Sequence, residues 1–139
     1  MKSLTKSIAQ AEESYFLQNG EYTEKEELLD LTIPSYSWKN CSSNNSKTCY
    51  YFYDWGYINI YISETRAEVL TNNNKIGAEY RIGLSQYGAF KNQRICVAES
   101  SDKQRQPYPS EGNYKLCAEE TGNQPSGWSD YSLAWFYKD

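Results

Sequence analysis

The chain has 139 residues, 39% of them apolar, a mean hydropathy of −0.83 and a formal charge of −4 from 14 basic and 18 acidic residues. That length holds one hydrophobic core, so a single domain over 1–139 is expected. The charges are scattered without a basic stripe, which argues against nucleic acid as a partner, and no window approaches the ~18 consecutive apolar residues of a membrane span.

Leu4, Ile8, Ala11 and Tyr15 recur at spacings of four, three and four, which puts them on one face of a helix, with Lys2, Lys6, Glu12 and Glu13 on the remainder. The predicted helix covers about 2–18, roughly 26 Å at 1.5 Å per residue. Asn19-Gly20 suits a left-handed C-terminal cap. Thr23 followed by Glu26, then Leu28, Leu29 and Leu31, reads as a capping box opening a second helical turn that stops before Ile33-Pro34. From about 35 to 49, Ser, Asn and Lys prevail without a period, which predicts a variable surface loop carrying Tyr36 and Trp38 as exposed aromatics.

Beyond the loop the period changes to two. Ile58, Ile60 and Ile62 alternate with Tyr57, Asn59 and Tyr61, giving a strand with one aliphatic face. Ala78, Tyr80, Ile82 and Leu84 repeat the pattern after the Asn72-Asn73-Asn74 turn; 66–70 would pair across that turn, and 94–98 adds a short strand. After 98 the composition turns to Ser, Asp, Gln, Pro and Gly, so about 99–139 is predicted to be mostly loop, with the apolar 131–137 docking as a final strand or extended segment. The expected fold class is α+β. Its N-terminal helix packs on a single antiparallel sheet of about four strands within about 50–98, Leu4, Ile8, Ala11 and Tyr15 lying against Ile58, Ile60 and Ile62, and a cysteine-bounded C-terminal loop region follows.

Cys41, Cys49, Cys96 and Cys117 form an even set in a small chain, which favours disulfides and an oxidising compartment. Three pairings are possible; loop closure favours sequence neighbours, Cys41 with Cys49 and Cys96 with Cys117. Zinc is the rival reading, against which stand the absence of a C-x-x-C spacing and of any histidine. Free buried thiols are the third.

The lack of histidine also removes the commonest general base. No nucleophile elbow, phosphate loop or dinucleotide fingerprint is present, and Lys47-Thr48 lacks the glycines of a phosphate cradle, so no catalytic, cofactor-binding or metal-binding residues are assigned. Glu12 with Glu26, or Asp54 with Glu64, could be written as a glycosidase pair, but a solvated acidic surface is the simpler account. Asp102, Glu111, Glu119, Glu120 and Asp130 could offer oxygens to calcium but lack the spacing of a calcium loop. Fourteen Tyr and four Trp suit sugar stacking, for which Tyr36 and Trp38 are the candidates, as well as they suit an aromatic core.

The stretch Ser7 to Thr23, Ser-Ile-Ala-Gln-Ala-Glu-Glu-Ser-Tyr-Phe-Leu-Gln-Asn-Gly-Glu-Tyr-Thr, resembles the end of the long N-terminal helix in type IV pilins and type II secretion pseudopilins. There a helix bearing aromatics runs into an Asn-Gly turn, a Tyr and a short acidic, leucine-containing segment like Glu24 to Leu31. The order of helix, variable loop, antiparallel strands and cysteine-bounded end is similar to the pilin plan over nearly the whole chain. Arg94-Ile95-Cys96 and Tyr114-Lys115-Leu116-Cys117 resemble the two ends of that family's terminal disulfide loop, to which the Cys41 and Cys49 pair is an addition. The resemblance implies a structural filament subunit with other pilin-type subunits and an assembly machinery as partners. It also implies a basic leader, a cleavage site and an apolar half-helix ahead of Met1, anchoring a precursor in the inner membrane before export to an extracellular or periplasm-spanning filament. The alternative is a secreted carbohydrate- or surface-binding adhesin using exposed Tyr and Trp. A small secreted hydrolase is the remaining rival.

Overall fold

Helix α1 spans Lys2–Asn19 and buries Thr5, Ile8, Ala9 and Glu12, residues three and four apart that share one face. It ends at Gly20, whose φ of +73° lets its N–H return to the Phe16 carbonyl at 2.8 Å, the left-handed cap that glycine permits. The computed structural model of the chain describes every residue except Met1, Ser43, Ala89 and Asp139. The two ends of the expected 1–139 domain therefore lie outside the described residues.

The capping box expected at Thr23 and Glu26 does not form. The second turn is a 3-10 turn at Glu26–Leu28 preceded by Lys25, which makes no side-chain cap. Thr23 Oγ1 accepts instead from the Lys25 N–H, and the Glu26 carboxylate turns away to accept from the Ile33 N–H at 3.2 Å. Leu29 and Ile33 are buried, so their docking on the core sets this segment's path, and tertiary packing overrides the local capping preference.

Eight strands follow: β1 Trp38–Ser42, β2 Lys47–Tyr53, β3 Gly56–Ile62, β4 Ala67–Asn73, β5 Ala78–Gly83, β6 Arg94–Glu99, β7 Ser126–Ser129 and β8 Ser132–Phe136, with helix α2 at Gly112–Thr121 between β6 and β7. They form one antiparallel sheet in the order β1-β2-β3-β4-β5-β6-β8-β7. This corrects the expected fold class in two places. The sheet has eight strands where about four were expected, and the region beyond 98, expected to be mostly loop, carries helix α2 and the β7–β8 hairpin, of which β8 is the final strand expected from the apolar 131–137. The expected variable loop of about 35–49 is also largely strand, because β1 and the start of β2 pair from Trp38↔Phe52 to Ser42↔Thr48. At the two edges of the sheet the physical reason is the same. β1 is an edge strand with four of five residues exposed, so no buried face imprints an alternation on its sequence. β7 is likewise an edge, short and bulged.

The pleat divides the sheet into two faces. One carries Tyr51, Ile58, Ile60, Val69 and Ile82 and receives α1; Leu4, Ala11 and Tyr15 flank the contact that Ile8 fills. Full burial of Ile8, Ile58, Ile60 and Val69 contributes roughly 1.5–3 kcal/mol each. Farther along the same face Cys117 of α2 packs on Cys96, Ala98 and Trp135 of the sheet. Among the described residues no helix lies on the opposite face. Over its far half a smaller cluster of Phe90, Ile95, Val97 and Ala134 is covered by Trp128 and Phe136. Gly83 permits this, since a Cβ there would stand 2.1 Å from the Phe90 carbonyl oxygen.

Candidate functional site

Disulfides join Cys41 to Cys49 and Cys96 to Cys117, and no free cysteine remains among the described residues. Cys41 and Cys49 are direct cross-strand partners in the β1–β2 hairpin, with Cα atoms 4.1 Å apart. The bond therefore staples an edge hairpin, whereas Cys96–Cys117 ties α2 down on β6. Among the described residues no group of three or more acidic, His or Cys side chains is placed to hold a metal ion, and no helix is long and apolar enough to cross a membrane.

The end of α1 and the segment after it form a polar joint. Glu12, read from sequence as part of the polar remainder of the helix, is instead wholly buried, and its Oε1 accepts from the Thr23 N–H at 3.0 Å. Burial pushes the Glu12 carboxyl up to about 8; the Thr23 N–H works against this, while the nearby charges of Glu24 and Glu13 add to it. Glu13 accepts from the Tyr22 hydroxyl and, through its other oxygen, from the Ser85 N–H at 3.1 Å. Tyr22 OH in turn accepts from the Gln86 N–H at 3.2 Å. Helix, Asn-Gly turn and the loop after β5 are thus wired together through two adjacent glutamates. The sequence signal was an acidic pair next to the apolar stripe, one member of which falls four residues after Ile8.

The two carboxylate pairs considered from sequence do not form catalytic dyads. Glu12 and Glu26 are each spent on separate backbone N–H groups. Asp54 and Glu64 sit in the turns at opposite ends of β3, about 20 Å apart by strand length.

Tyr36 and Trp38 are separated by the sheet. Tyr36 is half-buried, its ring edge-on to Tyr51 on the α1 face and its hydroxyl donating to Glu26 at 3.4 Å. Trp38, 54% exposed, belongs to the opposite face, where it stacks on Phe52 with ring centroids 4.0 Å apart and planes 8° from parallel. Phe52 continues the row to Tyr50 and Tyr57, which meet edge-on at 5.2 Å. Tyr50, Phe52 and Tyr57 were not singled out from sequence. Their signal, the run Tyr50-Tyr51-Phe52-Tyr53, places aromatics on both faces and resolves only once the Phe52↔Tyr57 register is known.

Next to the aromatic row lies a charged strip on β4 and β5. The wholly buried Glu68 pairs with Arg66 and, at 3.6 Å, with Arg81; Arg81 Nε also donates to Glu79 at 2.7 Å. Asn72 Nδ2 holds the other Glu79 oxygen at 3.0 Å. The Arg81 guanidinium then reaches over the Trp128 ring, 5.6 Å from its centroid. Burying these acids is tolerable because each is paired and fixed. Chemically, the open face offers flat apolar rings beside ion-paired carboxylates, a surface for stacking and hydrogen bonding.

Two depressions lie on the helical side. A cleft of about 220 Å³ opens between the start of α1, the β4–β5 turn and α2, walled by Trp55, Ile76 and Leu116 over a floor containing Tyr80. A broader groove of about 760 Å³ adjoins it, between the same turn and the start of α2. Compared with protein-family models, with curated proteins and with solved structures, the chain finds no match in any of the three.

Proposed function

We propose that the chain is the globular part of a pilin-type filament subunit, of a type IV pilus or pseudopilus, which works by assembling with other subunits rather than by turning over a substrate. The observation that carries the reading is the joint after α1. The segment whose residues resemble the pilin helix end is held as one unit by Glu12 to Thr23, Glu13 to Tyr22 and the Gly20 cap. Glu12, Glu13, Gly20, Tyr22 and Thr23 thereby tie the end of the helix to the turn after it, and Glu13 and Tyr22 also tie it to Ser85 and Gln86 beyond β5. Two disulfides accord with a place outside the cytoplasm. In this reading the precursor is anchored in the inner membrane by an apolar helix and handed to an assembly machinery. Immunogold electron microscopy of the source cells with antibody to the folded domain is the test. Label spaced along filaments is expected; label confined to a soluble secreted fraction would refute the proposal.

The row Trp38, Phe52, Tyr50 and Tyr57 favours a second reading, a carbohydrate-binding adhesin, because flat aromatic faces flanked by hydroxyls suit sugar rings. A glycan array discriminates. Binding abolished by Trp38→Ala but kept by Tyr36→Ala, which changes the other face, would support it, and an array with no specific signal would remove it.

A further inference from the structure

Between α1 and β1, residues 21–34 lie on the core without belonging to its backbone network. Among the described residues their backbone-to-backbone hydrogen bonds run only within the segment, from the Leu28 N–H to Lys25 and from the Leu29 N–H to Glu26. The segment nonetheless buries Tyr22, Leu29 and Ile33, and each polar tie to its surroundings passes through a side chain. Glu12 takes the Thr23 N–H, the Tyr22 hydroxyl meets Glu13 and the Gln86 N–H, Tyr53 OH donates to the Pro34 carbonyl at 2.7 Å, and Lys39 approaches Glu26 at 3.6 Å. The segment is bounded by Gly20 at φ +73° and Ser35 at φ +57°, the second in a region that residues other than glycine seldom occupy. A strap fastened by side chains between two such residues can lift without breaking a strand or helix bond.

The fastening at Glu12 depends on a proton. Glu12 is wholly buried and Glu24 is 5% exposed, and each has its Oε2 buried without a hydrogen-bond partner among the described residues. The titratable groups that bear on Glu12 are Glu13 on its own helix, Glu24 in the strap and Tyr51 of β2, whose hydroxyl is also buried and unpartnered. Among the described residues no lysine or arginine forms an ion pair with Glu12, Glu13 or Glu24. A carboxylate buried without a cation is costly, so such a group keeps its proton instead. Oε1 of Glu12 accepts from the Thr23 N–H, which leaves Oε2 to carry it. Burial accordingly lifts the Glu12 carboxyl to about 8, opposed by the Thr23 N–H and helped by the charges of Glu24 and Glu13.

We propose that residues 21–34 form a strap latched by a proton on Glu12: with the proton in place the strap is closed over the end of α1, and loss of the proton frees it to swing on Gly20 and Ser35 while α1 and the sheet stay folded. The closed form holds one proton that the open form, with Glu12 in water, releases above about pH 4.5. The opening constant therefore rises about tenfold per pH unit from there to about pH 8 and then levels off. Opening uncovers Leu29 and Ile33 together with the core beneath them. The latch is independent of the filament reading.

Amide hydrogen exchange of the purified chain from pH 5 to 9, with each rate corrected for its intrinsic pH dependence, tests the latch. Protection of the Thr23, Leu29 and Ile33 amides is expected to fall about tenfold per pH unit and to level off near pH 8. Urea should accelerate their exchange far less than that of β3 and β4 amides, because lifting the strap exposes less surface than unfolding. In Glu12→Gln the strap should show no such pH dependence. Strap amides that share the protection and urea dependence of β3 and β4 would show that no separate opening exists and overturn the proposal, as would a Glu12→Gln strap with the wild-type response. A measurement that needs no variant is the carboxyl-carbon shift of Glu12 by NMR. It should titrate where protection levels off, and titration in the ordinary glutamate range would overturn the latch.

Discussion

Glu12 ties the stability of the molecule to pH. Its carboxyl is buried in the α1 joint and its folded pKa is raised from 4.5 to about 8, so between those values the folded state keeps a proton that the unfolded state has released. Stability from this group is fully present below about pH 4.5, declines by about 1.4 kcal/mol per pH unit as pH rises, and is lost above about pH 8. Glu12→Gln preserves an oxygen for the Thr23 N–H and has no proton to lose. Urea denaturation from pH 4 to 9 should therefore show a wild-type slope that the variant lacks, with the variant the more stable at pH 8; parallel curves would refute this account. Gly83 is constrained in a different way, by backbone rather than charge. A methyl there meets the Phe90 carbonyl 2.1 Å away, so Gly83→Ala must displace the strand or the crossing segment. A loss of about 2 kcal/mol or more is expected in thermal melts.

At the level of elements the two disulfides perform unequal work. Cys41–Cys49 closes a span of 8 residues within a hairpin and Cys96–Cys117 closes 21, for which chain entropy gives about 2.5 and 3.3 kcal/mol. Packing widens the gap, since Cys96 and Cys117 are both buried between β6 and α2 while Cys41 is exposed. Replacing Cys96 and Cys117 by Ala should lower the denaturation midpoint more than replacing Cys41 and Cys49, and a reversed order would show that the hairpin matters more than its position suggests. α2 has a second anchor in Asn113, whose Nδ2 donates to the Glu99 carbonyl at 2.7 Å and the Gly77 carbonyl at 3.3 Å. Asn113→Ala removes both bonds, although the Gly77 carbonyl keeps the Glu99 N–H at 3.0 Å, and should cost about 1–2 kcal/mol, again read from the denaturation midpoint.

Across the whole molecule, burial is greatest in the middle of the sheet. β3 and β4 are paired on both sides and lie near or under α1, whereas β1 and β7 are edges. Native-state hydrogen exchange should find the slowest amides in β3 and β4 and the fastest strand amides in β1 and β7, following the local density of buried contacts. Slow exchange in β1 would mean that the hairpin disulfide, rather than burial, sets protection there. The edges themselves are blunted as open sheets require. β1 exposes Lys39 and Asn40, and β7 is only four residues long with a bulge, features that discourage strand-to-strand aggregation.

Several parts of this architecture were legible along the chain because their causes are local. Leu4, Ile8, Ala11 and Tyr15 write a helical period, Ile58, Ile60 and Ile62 a strand period, and Asn19-Gly20 a helix stop, since each pattern needs only neighbours in sequence to express it. The eightfold strand count, the placing of β8 between β6 and β7, and the helix over Cys117 depended on contacts between distant segments. The same is true of the burial of Glu12, whose partner Thr23 is brought close by the turn, and of the aromatic row, where Trp38, Phe52 and Tyr57 come from three strands. A one-dimensional pattern records which face a residue turns toward, whereas the partner it finds on that face is set by strand order and register, which are settled when the core closes.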